Sequence, residues 1–126
     1  MEPEPIWQFS VSSWFYRSQA IGPNGTIYAG TQDDYTLFAI NPEDGSQKWS
    51  YYAGNRINCV PAVSKDGTIY FGQNEHFRLR ALNPDGSLKW NYPVDKGIPS
   101  SHAIGKNGTI YFGTWGGTLY AVNPNG

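Results

Sequence analysis

One short phrase recurs three times in this chain. It reads Asn24-Gly25-Thr26-Ile27-Tyr28, then Asp66-Gly67-Thr68-Ile69-Tyr70, then Asn107-Gly108-Thr109-Ile110-Tyr111. Its glycines stand 42 and 41 residues apart, and Trp7, Trp49 and Trp90 keep the same intervals. The pairs Asn41-Pro42, Asn83-Pro84 and Asn123-Pro124 repeat at 42 and 40. Self-similarity at a period of this size marks a repeat architecture, whose units bury their faces against one another. The 126 residues hold three such periods.

Each period reads as four short strands. In the third, a short run ending at Ile104 leads into Lys106-Asn107-Gly108. Asn-Gly between two extended runs predicts a type I′ hairpin, with positive φ at both central residues. Thr109 to Gly113 is β-branched and aromatic and predicts a second strand. Trp115-Gly116-Gly117 is the next turn, and Thr118 to Val122 a third strand. In the second period the equivalent Asn83-Pro84-Asp85-Gly86 turn leads into a fourth strand, Ser87 to Tyr92. No window carries a sustained helical period. Four antiparallel strands in about 42 residues, repeated, is the pattern of a β-propeller blade. The expected fold is all-β, with blade 1 at 12–52, blade 2 at 53–92 and blade 3 from 93 to 126.

The segment Ala39-Ile40-Asn41-Pro42-Glu43-Asp44-Gly45-Ser46-Gln47-Lys48-Trp49 resembles the tryptophan-docking motif of the PQQ-like (pyrroloquinoline quinone) β-propeller repeats, Ala-x-Asp-x-x-Thr-Gly-x-x-x-Trp. Asn41 stands for the Asp and Asp44 for the Thr. Ala81 to Trp90 matches with one residue fewer in the turn, and Ala121 to Gly126 matches as far as it runs. The resemblance extends over nearly all of the chain from Trp7 onward. It implies a structural role for Trp7, Trp49 and Trp90, as apolar plates docked against the neighbouring blade. It does not choose an activity, because enzymes, assembly factors and binding scaffolds share the fold.

Label the strands of a blade A to D from the axis outward. Trp7 aligns with two D-strand tryptophans, yet no A, B or C strand precedes it, and the third blade has A, B and C without D. An open strand edge is a pairing template. The expected solution is a homodimer in which strand 6–11 of each chain completes the third blade of the other, giving a six-bladed ring with two-fold symmetry. A homotrimer of nine blades ranks second, since propellers typically have 4–8 blades. A fragment of a longer propeller is the plain alternative.

Composition narrows the function classes. Net charge is −1, so no basic footprint argues for nucleic acid. No apolar run approaches the ~20 residues of a membrane span. The start, Met1-Glu2-Pro3-Glu4-Pro5, lacks the basic and apolar regions of a secretory signal, which leaves localisation open, related repeats being often extracytoplasmic. Cys59 is the single cysteine, which excludes an intrachain disulfide and reads as a buried structural thiol.

The two faces of the expected ring differ. The A–B turns (Pro23-Asn24-Gly25, Lys65-Asp66-Gly67, Lys106-Asn107-Gly108) and the Asn-Pro C–D turns are near-copies that turn geometry explains. The sequons at Asn24 and Asn107 read as turns for the same reason, since Asp66 serves in the second repeat. The B–C loops and D–A segments differ in every repeat, and loops on a rigid scaffold are where binding groups sit. The candidate binding residues are Trp14, Tyr16, Tyr35, Phe77 and Trp115 as flat surfaces, and Arg17, Arg56, Arg78, Asp33 and Asp34 as charges. Phe15, Ile57 and Ile98 share one column and read as packing. His76, beside Glu75 in a loop, and His102 complete the candidate binding residues. His102 shares with Gln19 and Pro61 the position before the strand A alanine, near the channel. One such His per chain is too few for a zinc site, so no metal is expected.

Quinoprotein dehydrogenases, the enzymes of the resembled family, hold the quinone on calcium and carry an adjacent cysteine pair. This chain has one cysteine, so neither that activity nor a cofactor is expected. The expected function is a non-catalytic scaffold or binding module that uses the variable loop face and channel mouth. The alternatives are a glycan or small-ligand binding ring, and a designed or recently amplified repeat protein without a selected ligand, since near-identical repeats are readily designed.

Overall fold

The computed structural model describes residues 3–15, 19–57, 59–73, 75, 77–98 and 102–126. They form three antiparallel sheets. The first orders β1 (Ala20–Ile21), β2 (Ile27–Gly30), β3 (Thr36–Ile40) and β4 (Gln47–Tyr52). The second orders β5 (Ala62–Val63), β6 (Ile69–Gln73), β7 (Arg78–Leu82) and β8 (Leu88–Pro93). The third contains β9 (Ala103–Ile104), β10 (Ile110–Gly113) and β11 (Leu119–Val122). Every neighbour in a sheet is also a neighbour in sequence, which is the hairpin-by-hairpin construction of a blade. No helix of the described residues is long and apolar enough to cross a membrane.

The registers superpose from blade to blade. Ala39 faces Trp49 and Ala81 faces Trp90, and both outer hairpins carry a bulge just after that alanine. The bulge turns the chain into the C–D turn, where an asparagine amide and carbonyl close the loop: Asn83 N–H donates to Ser87 O at 2.8 Å, and Gly86 N–H to Asn83 O at 2.9 Å.

The A–B turns are not type I′. Gly25, Gly67 and Gly108 have positive φ, but Asn24, Asp66 and Asn107 do not. Gly25 N–H donates to Gly22 O at 3.0 Å and Gly22 N–H to Thr26 O at 2.9 Å, with the same pair of bonds in the other two blades. This is a type I turn closed by a left-handed glycine, the usual three-residue hairpin. The asparagine serves through its side chain instead. Asn24 Oδ1 accepts from Thr26 N–H at 3.1 Å, Asp66 Oδ1 from Thr68 N–H at 3.0 Å and Asn107 Oδ1 from Thr109 N–H at 3.1 Å.

The apolar cores lie between blades. Leu37 and Ala39 of blade 1 pack on Ile69, Phe71 and Leu82 of blade 2. Leu79 and Ala81 of blade 2 pack on Ile110, Phe112 and Val122 of blade 3. Strand β6 is therefore buried on both faces, while β10 alternates. Three indole N–H groups tie the rim: Trp49 donates to Pro84 O at 2.9 Å and Trp90 to Pro124 O at 2.7 Å, each reaching the turn of the next blade. Trp7 donates to Pro42 O at 2.8 Å in the same way. Residues 6–11 have no sheet partner among the described residues, and neither does the outer edge of β11.

Candidate binding face

The B–C loops and D–A segments meet at one end of the sheets, and hydrogen bonds join each D–A segment to the B–C loop of the following blade. Gln32 N–H donates to Trp14 O, and Trp115 N–H to Gly97 O, both at 3.0 Å. Asp33 N–H donates to Ser13 Oγ at 2.9 Å, and Asn55 Nδ2 to Glu75 Oε2 at 2.9 Å. The third junction is built round Asp95, which accepts from Thr114 Oγ1 at 2.9 Å, Thr118 Oγ1 at 3.1 Å and Tyr120 Oη at 3.2 Å. Burial alone would raise this carboxyl, but the three hydroxyls outweigh it and hold it below the ordinary value.

Two aromatic residues on this face hold a backbone conformation that large side chains rarely adopt. Tyr35 has φ 53° and Phe77 φ 48°, where blade 3 places Gly117 at φ 81°. Such residues cost about 1–3 kcal/mol each and persist where their surroundings over-determine them. Here Tyr35 O accepts from Ala53 N–H at 2.7 Å, and Phe77 O from Val94 N–H at 2.9 Å.

The remaining candidates are placed as follows. Trp14, Asp33, Arg56, Phe77, Arg78 and Trp115 are exposed, and Asp34 and Tyr35 are half-buried. Arg78 lies on β7, where its Nη1 donates to Asn91 Oδ1 at 2.5 Å. The His102 ring lies tilted against Phe112 at 5.9 Å between ring centres, and burial pushes its pKa down to about 4 against a smaller pull from the Val60 backbone. Its two ring nitrogens are shut away from solvent, so it packs between blades 2 and 3. Tyr16, Arg17 and His76 lie outside the described residues. Cys59 is buried, with its Sγ accepting from Gly72 N–H at 3.1 Å.

Two concave features lie on the opposite face. A groove of about 520 Å³ runs between blades 2 and 3, lined by Ser64, Lys65, Asp66, Tyr70, Gly105 and Lys106. Its counterpart between blades 1 and 2 has about 270 Å³ and includes Asn24, Tyr28, Asp66 and Pro84. Asp66 stays ionised there: the Ser64 hydroxyl first, then the Thr68 amide, lowers its pKa to about 2. The repetition of these turns gave no sign of the grooves, because a groove depends on how far apart two blades sit.

The profile of a family described as outer membrane protein assembly factor BamB matches residues 3–126. The chain belongs to this family. Solved BamB from Moraxella catarrhalis superposes with a TM-score of 0.75 at 17% identity, over 94% of this chain and 40% of that one. A streptogramin B lyase gives 0.70 at 19% identity, over 93% and 43%. The quinohemoprotein alcohol dehydrogenase ADHIIG from Pseudomonas putida HK5 gives 0.74 at 16% identity, over 94% and 20%. No curated protein matches. The BamB-family chain thus spans less than half the length of each of these structures, and the likeness to them is one of propeller fold. Among its described residues no three His, Cys, Asp or Glu side chains gather as a metal site, and Cys59 has no cysteine neighbour.

Proposed function

We propose that this protein is a non-catalytic propeller scaffold that binds a protein segment across its variable face, and that two copies close into a six-bladed ring, each supplying residues 6–11 to the other. The observation that carries the binding reading is the pair of left-handed aromatics, Tyr35 and Phe77. A chain under selection for stability alone would place glycine there, as blade 3 does at Gly117. Keeping an aromatic ring at that backbone cost favours a use for the ring outside the fold. The assembly-factor description of the family supports a protein as the ligand. The repeated tryptophan contacts fit the docking role that the repeat motif implies, and leave the loop face free to differ between blades.

Panning a displayed peptide library on the wild-type protein tests this. Recovered peptides should lose at least about tenfold in affinity for a Tyr35→Gly/Phe77→Gly variant, the loss expected when aromatic anchors leave an interface. Equal binding to both proteins overturns the face assignment. A glycan array hit that the same variant abolishes moves the reading to a sugar-binding ring. Saturable absorbance change on adding pyrroloquinoline quinone with calcium overturns the non-catalytic reading.

A further inference from the structure

The ring reading leaves open which atoms meet at the seam, and the repeats answer that. Leu37 and Leu79 are 0% exposed, whereas their equivalent Leu119 is 77% exposed. Tyr28 and Tyr70 are buried where Tyr111 is exposed, and Ala39 and Ala81 are buried where Ala121 is exposed. This face of blade 3 has the composition of an inter-blade core without a blade against it among the described residues. On the opposite side of the molecule the D–A column is only partly covered among the described residues, by Phe9 and Phe38 against Phe15. Ile57 and Ile98 are buried, each pressed onto a glycine of the blade it leaves, Gly30 and Gly72. Their equivalent Phe15 is 36% exposed, and the equivalent glycine, Gly113, has no side chain within 4 Å of its Cβ position.

Residues 5–10 are already prepared as an outer strand. They alternate between exposed and half-buried in the same order as β4 and β8. Trp7 is seated on Pro42 O, and Phe9 stacks edge-on against Phe38 at 5.3 Å. The segment is docked to blade 1 by one face, and it has no strand partner among the described residues.

We infer that residues 5–15 of a second copy add to the outer edge of β11 in one register, with that copy's Trp7 opposite Ala121, its Phe9 opposite Leu119, its Ser10 opposite Thr118, and its Phe15 seated on Gly113. The register is the one that places Trp49 opposite Ala39 and Tyr52 opposite Thr36 in blade 1, and Trp90 opposite Ala81 and Pro93 opposite Arg78 in blade 2. Val11 N–H of the second copy then donates to Gly117 O, as Ala53 does to Tyr35 and Val94 to Phe77. A slip by one residue would turn Phe9 outward and is disfavoured. The inference rests on the two-copy ring, and the seam becomes a third copy of the internal blade interface.

Cysteine cross-linking tests the register separately from the ring. In the double variant Ser10→Cys/Thr118→Cys the two side chains face each other in a non-hydrogen-bonded pair, within disulfide reach. Mild oxidation should give a covalent species of about 28 kDa, twice the 14.0 kDa chain. The shifted pair Ser10→Cys/Leu119→Cys should give little. Light scattering at about 28 kDa without the cross-link keeps the ring and overturns the register. A 14.0 kDa wild-type protein overturns both. About 42 kDa with a cross-linked trimer keeps the register and overturns the two-fold ring. Leu119→Asp is an independent check, because Leu119 is exposed within one chain. It should yield a folded single chain by circular dichroism, and a variant still at twice the chain mass overturns the seam.

Discussion

His102 shows how one residue couples the fold to pH. Its imidazole lies between blades 2 and 3 with pKa about 4, below the ordinary 6.5, so the folded chain holds it neutral. Between those values the unfolded chain binds the extra proton, and stability falls as pH drops from about 6.5 to about 4. The full loss is about 3–4 kcal/mol, since the two values lie about 2.5 apart and one pKa unit is worth about 1.4. Urea unfolding of His102→Gln at several pH values should flatten that slope, and an unchanged slope would place the titration elsewhere. The residue was legible in the sequence as a lone histidine near the channel, but its burial was not, because Phe112 reaches it from β10 and Val60 from the segment before β5. Asp95 was illegible altogether. Its three hydroxyl partners sit 19 to 25 residues away, and no local pattern joins them to it.

Elements were legible wherever a repeat supplied three independent readings of one strand. In the third period the second and third strands begin one residue later than expected and end where expected, and β9 ends at the expected Ile104. The alternating burial of β10 is not written in its Ile110-Tyr111-Phe112 order, since β6 has the same order and is buried throughout; Tyr111 is exposed because no blade lies against it among the described residues. The hairpin type was misjudged because Asn-Gly fits two turns, and the side-chain bond from Asx to the threonine amide selects the type I form. The B–C turns carry a prediction of their own. Phe77 is exposed and left-handed, so Phe77→Gly removes strain at little cost in buried area. The variant should be neutral or up to about 1 kcal/mol more stable. Thermal unfolding checks it, and a clear loss would show that the ring packs in the fold. At the rim, Gly86 at φ 91° leaves no room for a side chain, since an added Cβ would come within 2.6 Å of the Trp49 ring. Gly86→Ala should cost about 2 kcal/mol by combining positive φ with lost docking. Trp49→Ala, which removes a half-buried ring and its bond to Pro84 O, should cost about 2–3 kcal/mol. Both costs should appear as lowered midpoints in denaturant titrations.

At the scale of the whole molecule, a period of about 42 residues specified blades, and blades specified where the core must be. The count of blades in a closed ring is set by the angle between sheets, which no residue pattern encodes. What the chain does encode is the mismatch between its two ends of the arc, with an outer strand docked by Trp7 on one side and an exposed copy of the internal core on the other. If a second copy joins them, unfolding and dissociation are one event, and the melting temperature depends on concentration. Each tenfold rise in protein stabilises each chain by about 0.7 kcal/mol, half of the 1.4 kcal/mol per decade of the dimer constant, or about 2–4 °C in melting temperature for a domain of this size. Calorimetry over about a hundredfold range of concentration should therefore show a steady upward drift. Leu119→Asp should melt at one temperature throughout, and lower than the wild type. A wild-type melting temperature that ignores concentration would mean that the arc stands without a partner, with Leu119 facing solvent and Trp7 serving its own blade alone.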